Sequence, residues 1–156
     1  NELDRSLRYG HILTLLMVDL DHFKQVNDTW GHPCGDDVLR TVAMQLLKEV
    51  RNFDSVARYG GEEFAVIMPE TGSAGAKAVA ERLREAVASH PITTGRGNVL
   101  HITVSIGMAV FPDDARSGED LIAVADLALY AAKDRGRNRV VVYDRGLDPA
   151  YRDRQG

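Results

Sequence analysis

The stretch RYGGEEF, residues 58–64, decides the fold; it lies between SVARY (55–59) and FAVIM (64–68). Val, Tyr, Phe and Ile suit a pleated, partly buried surface, so both flanks read as strands, and Gly60-Gly61 reads as a tight two-residue reversal able to take positive φ. Two adjacent carboxylates, Glu62 and Glu63, follow where a strand is about to be buried. Like charges there repel and lose hydration, so their placement calls for a compensating partner.

Outward from the hairpin, ILTLLMVDLD (12–21) is a nearly continuous apolar run, as in a central strand covered on both faces, and it also ends in acids, Asp19 and Asp21. HFKQVNDTW (22–30) reads as a short helix broken by Gly31-His32-Pro33. A longer helix begins with GDDVLRTVAMQLLKEVR (35–51). Asp36 and Asp37 suit its first turn, Val38, Val42, Leu46 and Val50 form its core stripe, and Arg51 closes it. SAGAKAVAERLREAVASH (73–90) is a further helix with Val79, Leu83 and Val87 on one face, stopped by Pro91. TTGRGN (93–98) reads as a loop, VLHITVSIGMAVFP (99–112) as one long strand interrupted at a glycine, LIAVADLALYAAKDRG (121–136) as a helix and RNRVVVYD (137–144) as the last strand. NELDRSLRYGH (1–11) reads as the tail of a helix that starts upstream. The order βααββαβαβ predicts an α/β (α+β) fold, a mixed central five-stranded sheet flanked by helices.

The chain has 156 residues, close to the ~150 typical of one domain, so residues 1–156 are expected to form a single domain, an N-terminally truncated fragment of a longer protein with a flexible tail over 145–156. Hydrophobic residues make up 44% and charged residues 27%, an ordinary globular balance, and no run approaches the ~18 apolar residues of a membrane span. No signal peptide is legible, and the lone Cys34 has no partner spacing, so a cytoplasmic domain without membrane contact is expected. A net charge of −4 argues against a general nucleic-acid binder while leaving room for small anionic ligands where cations gather.

If the first strand lies beside the hairpin, the acids of VDLD meet those of GGEEF at one edge of the sheet. Carboxylates so close are tolerated when a hard divalent cation neutralises them, and Mg²⁺ commonly shares oxygen ligands with substrate phosphates. A surface hairpin with solvated acids is the alternative for GGEE taken alone. Lys24 and Asn27 stand three apart on the short helix, able to face one site, with Asp36 at the start of the next helix. Lys133 and Arg137, four apart near the end of the last helix, offer phosphate-binding cations or, alternatively, a favourable charge at a helix C-terminus.

VDLDHFKQVNDTWGHPCGDDVLR, RNFDSVARYGGEEF, VSIGMAVFP and ADLALYAAKDRGRNRV, in this order, resemble the blocks of the GGDEF family, the diguanylate cyclases. The resemblance covers nearly the whole chain. It implies a core related to the palm of nucleotidyl cyclases and polymerases, and condensation of two GTP into cyclic di-GMP with release of two pyrophosphates across a homodimer. By motif position, Asp19, the Leu20 carbonyl, Glu62 and Glu63 resemble the metal ligands, with two Mg²⁺ per half-site and Mn²⁺ an alternative. Glu62 matches the proposed base, Glu63 assists, and Lys24 matches a stabiliser of transition-state charge. Asn27 and Asp36 match the guanine readers, Phe23 and His32 line the pocket, Gly60 and Gly61 admit the phosphates, and Lys133 with Arg137 form a phosphate clamp. Arg51 and Asp54 otherwise read as an i,i+3 ion pair; here they match the family's inhibitory product site, with Arg82 as an additional ligand.

The upstream DxLTxLxNR block is missing, and a sensor or dimerising domain is expected there. Two other classes remain: a non-catalytic module that binds GTP or cyclic di-GMP, which an intact GGEEF disfavours, and a cyclase making an adenine-containing product, which Asp36 disfavours.

Overall fold

The computed structural model describes residues 2–149. Its elements are α1 (Glu2–Tyr9), β1 (Leu13–Leu20), α2 (Phe23–Trp30), α3 (His32–Glu49), β2 (Ser55–Arg58), β3 (Glu63–Pro69), α4 (Ser73–Ser89), β4 (Ile92–Thr93), β5 (Val99–Leu100), β6 (Val104–Phe111), α5 (Gly118–Asp134) and β7 (Val140–Val142). Five strands form one sheet in the order β2-β3-β1-β6-β7, antiparallel except for the parallel β6–β7 pair. This is the mixed five-stranded sheet that the element order predicts.

Every residue of β1 is buried. Leu16, Val18 and Leu20 face a core built with α2, α3 and α4, while Leu13, Leu15 and Met17 face a second core under α5. That two-sided cover explains the uninterrupted apolar run. It also leaves the strand's C-terminal end as the place where polar residues can surface between helices.

Several boundaries differ from the expectation. Gly31 alone separates α2 from α3, at φ 89°, a conformation open to glycine. Helix α3 therefore starts at His32, with Pro33 in the first turn, where a missing N–H costs little. Asp36 and Asp37 consequently sit one turn into the helix, not at its N-terminus. The Gly60-Gly61 reversal is a three-residue loop, 60–62, closed by Tyr59 N–H donating to Glu63 O at 2.8 Å; neither glycine adopts positive φ.

The long strand over 99–112 is divided, with β5 joining β4 in a separate hairpin and residues 101–103 lying between β5 and β6. Gly107 interrupts nothing: β6 runs through it, and a Cβ there would meet the backbone of Ala125 and Leu129. It is the point at which α5 presses onto the sheet. Within the span of the expected tail, Arg145–Leu147 form a 3₁₀ turn and Leu147 is buried against α5; residues 150–156 lie outside the described residues. Among the described residues no helix is long and apolar enough to cross a membrane.

Candidate active site

The antiparallel register of β1 and β3 sets Asp19 opposite Glu63, and Leu20 N–H donates to Glu62 O at 3.2 Å. Asp19 and Glu63, 44 residues apart in the chain, are thus joined at one end of the sheet, the arrangement in which the two acidic motifs meet. Arg58, which the sequence reading passed over, braces the loop: its Nε and Nη2 donate to the carbonyls of Gly60 (3.2 Å) and Gly61 (2.7 Å). A Cβ at Gly61 would meet nothing within 4 Å, and one at Gly60 only the Glu63 side chain at ordinary contact distance. Neither backbone strain nor contact with the described residues demands glycine at either position, and Gly61 borders open space.

Asp19 is 5% exposed, and its Oδ2 accepts from Lys133 Nζ at 2.6 Å. Its Oδ1 is buried without a partner. Burial pushes the carboxyl above its ordinary range; Lys133 pulls it back, while Glu62 and Asp21 push it further up. Glu63 is raised in the same way, by burial first and then by Asp126 and Asp19. Asp126, on α5, also has a buried oxygen without a partner, and burial raises its carboxyl against the pull of Lys133. It belongs to the acid cluster although it was not among the sequence candidates. The available signal was its position two helical turns before Lys133, on the same face of α5.

Lys133 meets part of the demand that the acids create. The remainder fits a hard cation: the orphaned buried oxygen on Asp19 and the Glu62 carboxylate lining the same cleft, with Leu20 also in its wall, are or carry oxygen donors of the kind Mg²⁺ takes. Among the described residues no three His, Cys, Asp or Glu side chains converge closely enough to hold an ion unaided. An ion here would complete its shell with substrate oxygens and water, as Mg²⁺ usually does.

An open cleft of about 290 Å³ brings Asp19, Leu20, Glu62, Lys24, Lys133 and Arg137 together, with Phe23 in its wall. Lys24 and Arg137 are exposed. Arg137 is not on the last helix, as its spacing from Lys133 implies, because α5 ends at Asp134 and Arg137 stands in the following turn at φ 65°. Asn27 adjoins Gly35 of α3 so closely that a Cβ on Gly35 would overlap the Asn27 carboxamide and press on the Phe23 ring. Gly35 is therefore a requirement of that recess which the sequence reading missed.

The Asp36-Asp37 pair divides its work. Asp37 accepts from Gly95 N–H and from Arg40, both at 3.0 Å, and pins the β4–β5 hairpin; the Gly95 amide first, and then Arg40, hold its carboxyl below the usual range. Asp36 stays exposed on a second cleft, of about 400 Å³, shared with Leu39, Arg58 and Phe64. His32 is exposed at the start of α3 and lines neither cleft.

At the opposite end of β3, Arg51 and Asp54 form a closed pair. Asp54 accepts from Arg51 Nε (3.0 Å), Nη2 (3.1 Å) and N–H (2.9 Å), and its side chain has no exposed surface. Arg51 also stacks on the half-exposed Phe53 ring at 4.6 Å and donates to Thr71 Oγ1 at 2.6 Å. Arg82 is held at the end of α3 by Glu49, 3.4 Å from its carboxylate. Arg51 and Asp54 are thus brought together, with the Asp54 carboxylate enclosed, while Arg82 is bound to Glu49, two residues before Arg51 in the chain.

Acids at the ends of paired central strands, facing lysine and arginine across an open cleft, define the class: an α+β domain of the nucleotidyl cyclase and polymerase-palm type. A family model described as diguanylate cyclase, GGDEF domain, matches residues 1–139, and the chain belongs to that family. The response regulator PleD of Caulobacter vibrioides is 45% identical over 138 residues, 88% of this chain and 30% of that protein. Diguanylate cyclase DosC of Escherichia coli K12 is 41% identical over 149 residues, 94% of this chain and 32% of that protein. The chain thus spans about a third of the length of these relatives. The GGDEF domain of DgcB from Caulobacter crescentus, crystallised with c-di-GMP, superposes with a TM-score of 0.83 at 38% identity, over 90% of this chain and 83% of that one.

Proposed function

We propose that this domain condenses two GTP into cyclic di-GMP and two pyrophosphates, each copy in a homodimer holding one nucleotide. The observation that carries this reading is the junction of Asp19 with the GGEEF loop, with Lys24, Lys133 and Arg137 in the same cleft. Cyclisation requires the 3′-hydroxyl of each GTP to attack the α-phosphate of the other, so two equivalent sites must face one another.

Asp19, the Leu20 carbonyl, Glu62 and Glu63 would hold Mg²⁺. When bound, the ions supply charge neutralisation at the triphosphate and acidify the attacking hydroxyl. Glu62, in the loop and only partly buried, is placed to take the hydroxyl proton. Lys24 and Arg137 neutralise charge as the pyrophosphate leaves, and Lys133 holds Asp19 in place. Gly60 and Gly61 let the phosphates reach the loop backbone. Asn27 and Asp36 read the base; a carboxylate accepting from guanine N1–H and its amino group has no matching donors on adenine. Product binds the Arg51 guanidinium, with Arg82 beside it, and releases Asp54 from its present pair to read the other edge of the base.

Incubation with GTP and Mg²⁺, followed by mass spectrometry beside an ATP control, is expected to yield cyclic di-GMP from GTP alone. Glu62→Ala should abolish turnover while product binding at Arg51 and Asp54 persists. Turnover that survives this substitution would refute the metal-site assignment, and product binding without turnover in the wild-type chain, even when fused to a constitutive dimer, would mark a binding module.

A further inference from the structure

Asp21 shares a cleft and a motif with Asp19, yet its surroundings are different. It is 4% exposed, and both of its oxygens are engaged. Oδ1 accepts from Ser105 Oγ at 2.7 Å, and Oδ2 accepts from Thr103 Oγ1 at 2.6 Å and from the Asn138 main-chain N–H at 3.0 Å. Its own N–H donates to Thr103 O at 2.9 Å. These bonds tie the end of β1 to β6 and to the turn after α5.

That turn is conformationally costly. Gly136, Arg137 and Asn138 follow one another at φ 119°, 65° and 47°, and a run of positive φ that includes an arginine persists only where its surroundings hold it. Five bonds hold it: Gly136 N–H to Lys133 O at 3.3 Å, Arg137 N–H to Ala132 O at 3.0 Å, Arg139 Nε to Arg137 O at 3.1 Å, Arg84 Nη1 to Asn138 Oδ1 at 2.9 Å, and Asn138 N–H to Asp21 Oδ2 at 3.0 Å. Of the five, only the bond to Asp21 is made to a buried carboxylate. Arg137, in the middle of the run, lines the acid cleft.

We infer that Asp21 is a positioning residue: its buried carboxylate holds the 136–138 turn left-handed and so aims Arg137 at the triphosphate of the bound nucleotide. This rests on the GTP-site reading above. Both Asp21 oxygens are already bonded, by two hydroxyls and an amide, whereas Asp19 keeps a buried oxygen without a partner; the orphaned oxygen makes Asp19 the better ligand and Asp21 the positioning group. Its three acceptor bonds give the second acid of VDLD a role outside the metal cluster.

The test is equilibrium binding of GTP in the presence of Mg²⁺ to the wild type, Asp21→Asn, Arg137→Ala and the double variant, with a thermal melt of each. Asp21→Asn keeps the side chain's size but turns an acceptor into a donor against Asn138 N–H. It is expected to weaken GTP binding about tenfold, the scale of one charge-assisted hydrogen bond, to match Arg137→Ala, and to add nothing in the double variant. The Mg²⁺ midpoint should stay where it is. Thr103→Val combined with Ser105→Ala removes the two hydroxyls that seat the Asp21 carboxylate while leaving residues 136–138 unchanged, and should reproduce the loss even if Asp21→Asn folds poorly. Tighter binding by Asp21→Asn, as removal of a negative charge alone would give, overturns the inference; so do additive losses with Arg137→Ala or a shifted Mg²⁺ midpoint. A wild type that binds no GTP overturns the site reading itself, and is seen before any variant is compared.

Discussion

Asp19 and Asp37 are both aspartates beside a basic side chain, yet their carboxyls shift in opposite directions. Asp19 lies at the end of a fully buried strand, and desolvation outweighs Lys133; Asp37 sits on the outer side of α3, where the Gly95 amide and Arg40 stabilise the anion. A carboxyl raised on folding stabilises the fold while protonated. For Asp19 and Glu63 that contribution is complete below the ordinary values of 3.8 and 4.5, and is lost as pH rises through the raised folded values. Asp37 has the reverse sign: its contribution is present above 3.8 and lost as pH falls through its lowered value. Mg²⁺ requires the ionised acids, so the rise in Tm that it causes is expected to be small in the ordinary carboxylate range and to grow as pH climbs through the raised values. Asp19→Asn should flatten this growth. Thermal melts with and without Mg²⁺ across that range measure it, and a metal increment independent of pH would show that these acids are not the ligands.

The placement of α5 depends on one position in β6. A Cβ on Gly107 would run into Ala125 O and Leu129 N, and because these are backbone atoms no rotamer can relieve the overlap. Gly107→Ala is expected to destabilise the fold by about 1–3 kcal/mol or more, and to lower activity through the displaced Asp126 and Lys133. Gly61→Ala, facing open space, should leave the melting midpoint nearly unchanged while impairing turnover. Chemical denaturation of the two variants separates these outcomes. The contrast also shows where sequence reading stops. β1, β3 and the helices were legible because burial on two faces or one leaves a periodic trace. Gly107 was read as an interruption because a glycine that admits a neighbouring helix looks like one that ends a strand. Likewise, Gly31-His32-Pro33 looked like a long break until the single φ of Gly31 proved sufficient. Within the site, the meeting of β1 with the hairpin followed from topology. Lys133 on Asp19, 114 residues away, and the different duties of Asp19 and Asp21 depend on side-chain contacts that no local spacing encodes.

The whole molecule is half of a catalytic unit under the proposed chemistry. Its acid cleft lies open, with Lys24 and Arg137 exposed at the rim, and has the donors for one triphosphate. A product with two equivalent phosphodiesters is made by two equivalent attacks, which an isologous pair of domains supplies from a single kind of surface. Neither cleft can complete the reaction alone, so the rate follows the concentration of the pair. While the chain is mostly monomeric the pair grows as the square of total protein, and the logarithm of the rate plotted against the logarithm of concentration should have a slope of about two, falling to about one as pairing saturates. Fusion to a constitutive dimer should give a slope near one throughout, with higher specific activity at the dilute end. Initial rates of cyclic di-GMP formation across a dilution series decide the matter: a slope of one for the unfused chain from the lowest concentration upward would mean either that one copy suffices or that the pair is already tight, and sedimentation at that concentration tells these apart, a monomer there overturning the two-copy mechanism.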